Sequence, residues 1–225
     1  MGAELTDLRP ALAPVVSALC AALVMLVGYR PRLRAGLAIA SAVLKFGVVW
    51  SMLPGALAGA TYRISFGEVL PGIPFAFRVD ALGLFFALVS STLWIAATVY
   101  AVAYMRGKPG QQRFFGFFSL CVSTTVGIAF AENLLTLFVF YELLTVCTYP
   151  LVMHEGGLAV RRAGRRYLGY TLFGGTLVLA GMLLVWHLAG TLDLAGNGIL
   201  GGVESRPALA TAFVLLTVGF GVKAA

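Results

Sequence analysis

Charge is what this chain has least of. Only nine acidic and sixteen basic side chains occur in 225 residues, 11% in all, where soluble domains devote about a quarter of their residues to charge. With 60% of its residues hydrophobic, the chain is an integral membrane protein, and counting soluble domains by length does not apply. Histidine is nearly absent, with two residues. The three cysteines, Cys20, Cys121 and Cys147, all lie inside apolar runs, without a CxxC or a Cys/His cluster. A disulfide framework, a metal site and an iron–sulfur site therefore find no support, and the cysteines read as packing residues. No nucleotide fingerprint is present, since YMRGKPGQQR (104–113) lacks the spacing of a phosphate loop. No cofactor is expected. A basic stretch before the first apolar run is missing too. MGAELTDLRP is acidic and the basic YRPRLR follows the run, the reverse of a secretory signal, so the first span is expected to be uncleaved with its N-terminus outside. The net charge of +7 could suggest nucleic acid, but most basic residues sit in short loops between apolar runs, where they orient a membrane protein. No nucleic-acid partner is expected.

What is present is a series of apolar runs rich in phenylalanine and glycine, suited to close helix–helix contact in lipid. Seven are read: Ala11 to Gly28, Ala35 to Leu53, Asp80 to Met105, Phe114 to Ala131, Asn133 to Met153, Tyr167 to Ala189, and Ala208 to the end. About 20 residues cross a bilayer as a helix, the open-chain form that satisfies its own backbone there. The fold class is thus an all-α polytopic membrane protein of about seven transmembrane helices. Loop charge alternates along it. One set of loops holds Arg30, Arg32, Arg34, Arg106, Lys108, Arg113, Arg161, Arg162, Arg165 and Arg166 against the single acid Glu155. The other holds four arginines against seven acids. The basic set should be cytoplasmic, in a cell (inner) membrane. The long outside connection 54–79 has partial alternation with Gly and Pro, so a small hairpin is expected. The Gly-rich loop 190–207 reads as irregular. The organisation divides into 1–110, with spans one to three and the outside loop, and 111–225, with spans four to seven.

Glu142 is the most informative residue. It lies nine residues after Asn133, about 13 Å into its span and near the midplane. An acid at that depth normally has a partner and marks an ion path. Thr145 and Tyr149 share its face and could hydrogen-bond the carboxyl or hold water beside it. Poised between desolvation and a neighbouring ammonium, such a group can change charge when its neighbour moves. Its bland alternative is a structural ion pair or a neutral, hydrogen-bonded acid. Lys223 closes the last apolar run. Gly219 and Gly221 just before it permit a break in the helix, and unwound backbone is tolerated where it lines a cavity. Its alternative is a lysine snorkelling to the cytoplasmic boundary. Auxiliary candidates are Lys45, which either pairs with an acid of another span or of another subunit or snorkels, and His154 and His187, which either shuttle protons or simply end their spans. The RRAGRR cluster at 161–166 is a topology signal that could also bind anionic lipid.

Three stretches carry a resemblance: FRVDALGLFFALV (77–89), AENLLTLFVFYELLTVCTYPLV (131–152) and VGFGVKAA (218–225). Together with the alternating loops they resemble the antiporter-like membrane subunits, a family that includes the large D subunit of Mrp-type sodium/proton antiporters and the proton-pumping subunits of respiratory complex I and membrane-bound hydrogenases. The resemblance covers nearly the whole chain as the N-terminal half of such a subunit. It implies about fourteen spans in two inverted five-helix repeats. It also implies that Glu142 is the acid of the fifth span and Lys223 the lysine of a broken seventh span, a charged pair that couples proton movement to the neighbouring subunit. The TYPLV ending and YLGYTLFGGTLVLAG (167–181) resemble the Mrp D subunit most. The implied partners are other membrane subunits, the lipid bilayer and protons, with sodium left open. Two alternatives stand beside antiport: a redox-driven proton pump of an NADH:quinone oxidoreductase or hydrogenase assembly, and a truncated, non-transporting structural subunit.

Overall fold

The computed structural model describes residues 4–194 and 198–224. In chain order the elements are β1 (Glu4–Thr6), α1 (Arg9–Val27), α2 (Pro31–Trp50), the short α3 (Leu53–Leu57), β2 (Thr61–Leu70), β3 (Ile73–Val79), α4 (Ala81–Tyr104), α5 (Gln111–Ala129), α6 (Leu134–Val152), α7 (Leu158–Ala189) and α8 (Arg206–Ala224). Seven long helices match the seven apolar runs. Six are long and apolar enough to cross a membrane, counting α2 together with α3. The other, α5, connects the basic end where α4 finishes to the end where α6 begins, and its 19 residues rise about 28 Å, enough to cross. Its polarity has a physical reason. Ser119, Ser123 and Thr124 are buried, and the helix packs against α1 and α6. Ser123 donates to the Pro14 carbonyl at 2.7 Å. A helix enclosed by protein does not need an apolar face toward lipid.

The expected hairpin is present: β2 and β3 pair antiparallel around Pro71–Gly72. A third strand, β1, adds in parallel to β2, Leu5 opposite Tyr62, so the fold is helical with one small sheet. That sheet lies at the end of the bundle opposite the basic loops. It is fastened to α6 by the AENLLT segment (131–136). Asn133 is fully buried and caps α6, its Oδ1 accepting from the Thr136 amide at 2.9 Å while its Nδ2 donates to the Pro74 carbonyl at 2.7 Å. The Glu132 amide donates to the Ala76 carbonyl at 3.1 Å, and its buried carboxylate takes the Arg63 guanidinium at 2.8 Å. Phe66, Phe75, Phe77 and Phe140 meet with ring centroids 5.4 to 6.0 Å apart, joining the hairpin to α6.

Two boundaries differ from expectation. α7 starts at Leu158, nine residues before Tyr167, so Arg161, Arg162, Arg165 and Arg166 are exposed along its first turns and not in a loop. Arginine and alanine are strong helix formers, and the helix can extend beyond the hydrocarbon before the charges begin. α2 starts at Pro31, a residue suited to the first helical position. Arg34 is therefore buried in that helix, donating to the Gly28 carbonyl at 2.8 Å and to Gln111. The loop expected at 190–207 lies partly outside the described residues; its described part carries one bridge, Asp193 with Asn133. Large apolar side chains such as Leu26, Leu82, Phe85, Val146 and Phe213 are exposed on the helix exteriors, the surface a bilayer would cover.

Candidate functional site

Glu142 and Lys223 are brought together. Glu142 sits eight residues into α6, and Lys223 lies in the last turn of α8. The Lys223 Nζ donates to Glu142 Oε1 at 2.8 Å and to the Tyr141 carbonyl at 2.9 Å. Side-chain exposure is 11% for the lysine and 25% for the acid, so neither is bathed in solvent. The lysine shares the depth of Glu142, about 12 Å into α6, and does not snorkel to the basic boundary. An ion pair at this depth needs supporting hydrogen bonds to offset desolvation, and the Tyr141 carbonyl gives one.

The local sequence explains the approach. α7 passes behind Glu142 with Gly175, and a Cβ there would run into the carboxylate. On α8, a Cβ at Gly219 would lie 2.8 Å from the Val178 amide nitrogen and 2.9 Å from the Gly174 carbonyl. The expected break at Gly219 and Gly221 is absent: α8 runs unbroken to Ala224. The glycine serves close packing of α7 on α8, the usual role of small residues between membrane helices. Tyr141 was not singled out by the sequence. Its ring lies 3.6 Å from the Lys223 Nζ, and its hydroxyl donates to the Gly219 and Phe220 carbonyls of α8 at 3.4 and 3.3 Å. The available signal was its position just before a mid-span acid.

The auxiliary candidates disperse. The Thr145 hydroxyl turns back to the Tyr141 carbonyl of its own helix at 3.4 Å, and Tyr149 packs beside Gly164 of α7. Neither hydrogen-bonds the carboxylate among the described residues. Thr145 instead lines a cleft of about 950 Å³ with Thr148, Tyr167, Thr171 and Lys223, in which Thr148 and Tyr167 share a 2.6 Å hydrogen bond. His154 stacks edge-on against Phe114 at the basic end, ring centroids 5.4 Å apart. His187 is exposed in the last turn of α7, twelve residues or about 18 Å along the helix from Gly175. Lys45 neither snorkels nor pairs with an acid among the described residues; it is fully buried. No cluster of metal-binding side chains occurs among the described residues.

A helical bundle with a carboxylate and an ammonium paired inside it defines a polytopic membrane protein built around internal charge. Residues 131–225 match the family model "NADH:quinone oxidoreductase/Mrp antiporter, TM", and residues 70–115 match "NADH-Ubiquinone oxidoreductase (complex I), chain 5 N-terminus". These matches place residues 70–115 and 131–225 in the antiporter-like family of membrane subunits. The chain is 32% identical over 149 residues to the D subunit of a probable K(+)/H(+) antiporter of Rhizobium meliloti, covering 65% of this chain and 27% of that protein. It is 27% identical over 164 residues to the NAD(P)H-quinone oxidoreductase chain 5 of Picosynechococcus, covering 71% and 24%. The fold is shared with a chain of the membrane-bound sulfane sulfur reductase, an archaeal respiratory membrane complex, at a TM-score of 0.83 and 18% identity over 96% of this chain and 44% of that one. The chain thus spans about a quarter of the length of these two curated relatives.

Proposed function

We propose that the chain is a proton- and monovalent-cation-translocating subunit of a multisubunit cation/proton antiporter, of the D type, with Glu142 and Lys223 as the relay. The carrying observation is the 2.8 Å contact between Lys223 Nζ and Glu142 Oε1. Each group stabilises the charge of the other. A displacement of α8 that withdraws the ammonium leaves an unpaired carboxylate, which then favours taking up a proton. Glu142 accordingly holds the proton, Lys223 sets when it is held, and Tyr141 keeps the lysine in register. The hydroxyl-lined cleft beside Lys223 offers water and proton access. The likeness to the D type rests on the TYPLV ending and on the relative that is 32% identical. That relative's name gives potassium as its cation. Partners are the other membrane subunits of such an assembly, and the basic loops face the cytoplasm.

In the complete assembly reconstituted into proteoliposomes, Glu142→Gln is expected to abolish ion-driven proton flux while assembly persists. Flux retained at the wild-type level would instead place the chain with non-transporting structural subunits. The match of residues 70–115 to a complex I chain 5 segment favours a second reading, a pump driven by redox partners. There, wild-type flux would require an electron donor and would not respond to a cation gradient.

A further inference from the structure

The bundle of α1, α2, α4 and α5 encloses an ionisable group that the Glu142–Lys223 pair does not use. Lys45 is fully buried, and its Nζ has no hydrogen-bond partner among the described residues. Two more buried polar atoms on α4 lack partners there, Trp94 Nε1 and Ser91 Oγ, one turn apart. The Lys45 Nζ lies 5.9 Å from the centroid of the Trp94 ring. A small cavity of about 10 Å³ lies at this point, lined by Ser17, Ser41, Lys45, Trp94, Thr98 and Ser119 with apolar neighbours. Helices α1, α2, α4 and α5 all contribute, and no lining residue besides Lys45 is an acid or a base.

A buried ammonium without a partner is among the costliest arrangements in a protein, and buried polar groups almost always find one. The space is about that of a single water, which needs two to four polar contacts. The chemistry of the lining narrows the occupant further. The indole N–H and the ammonium only donate, whereas serine hydroxyls also accept. The occupant must therefore accept from the first two, and it can either donate to the hydroxyls or accept from them. Water does this and matches the space, whereas a carboxylate or phosphate does not fit. We propose that Lys45 is an occluded proton-binding centre whose amine is held by one buried water shared with Trp94 Nε1 and the Ser17 and Ser41 hydroxyls. The water accepts from the ammonium and, after turning, donates to the neutral amine. Each protonation state thus gains a hydrogen bond from the same water without moving the helices.

Two measurements on the complete assembly test this. A density map that resolves ordered water is expected to show one peak between Lys45 Nζ and Trp94 Nε1; ordered side chains with no peak there would overturn the site. In proteoliposomes, Lys45→Met, which keeps the chain length and removes the amine, is expected to delete one titration step from the pH profile of transport. An unchanged profile overturns the proton-binding role. Should Lys45→Met fail to assemble, Ser41→Ala takes its place: it keeps the amine, removes one contact of the water and is expected to shift the profile, and an unshifted profile again counts against the role. The transport readout rests on the function proposed above, whose failure would show as absent flux in the wild type. The water peak is read in the wild-type map whatever the flux.

Discussion

A lysine ammonium has to be held against a carboxylate inside a bundle, and Tyr141 does most of the holding. It uses three separate groups: its carbonyl accepts from Lys223 Nζ, its ring faces the ammonium, and its hydroxyl reaches two carbonyls of α8. The hydroxyl bonds are long, so they are the weakest of the three. Tyr141→Phe keeps the ring and the carbonyl and is expected to cost about 0.5–1.5 kcal/mol, the usual net worth of a hydrogen bond. Transport should fall modestly. Tyr141→Leu also removes the cation–π contact, worth roughly 0.5–2 kcal/mol depending on desolvation, and should impair transport more. Thermal melting of the assembly alongside flux measurements checks the order. Equal effects of the two variants would mean that the ring contributes nothing. The same residue shows where sequence reading stops. A mid-span acid announces itself through the rarity of charge in lipid, whereas a tyrosine among sixteen phenylalanines gains its role only once α8 is placed against it.

At the scale of elements, the glycines of α7 and α8 decide how near the charges come, and two of them answer to different neighbours. At Gly175 the obstacle to a side chain is the end of Glu142, which can rotate away. Gly175→Ala is therefore expected to leave the fold intact but to push the carboxylate off the lysine, lowering flux with little loss of stability. At Gly219 the obstacles include backbone atoms of α7, which cannot rotate away. Gly219→Ala should separate the helices at a cost of about 1–3 kcal/mol, as overpacking does. Melting temperature and flux measured on both variants distinguish them. A stable Gly219→Ala protein would remove close packing as the reason for that glycine. Helices of this kind were legible in the sequence because lipid demands long apolar runs, and α6 falls within a residue of its expected limits. The start of α7 was not legible. Four arginines in six residues look like a loop when only burial in lipid is weighed, yet they lengthen a helix outside it. β1 was not legible either, since three residues pair with β2 through tertiary contact and carry no pattern of their own. The continuity of α8 went against an expectation that took glycine for a hinge, when here it serves as a contact.

Over the whole molecule, charge and architecture agree on two unlike ends. The ten-residue basic set gathers at one end, where the arginines at the start of α7 are exposed. The sheet, the Arg63–Glu132 pair and the capped start of α6 form the other. Positive charge resists translocation, so the basic end should face the cytoplasm and the sheet the opposite side. The three native cysteines are free but buried, so they give little background to a thiol reagent and leave room for a direct test. Glu68 on β2 and Arg165 on α7 are both exposed at opposite ends. In intact cells a membrane-impermeant maleimide is expected to label Glu68→Cys nearly fully. Arg165→Cys should stay unlabelled until the cells are permeabilised. The opposite pattern would invert the orientation, placing the basic end outside and the sheet in the cytoplasm. Labelling of both positions in intact cells would mean that the basic end is not shielded by a membrane at all, and the bundle would need a different environment from the one its exposed leucines and phenylalanines require.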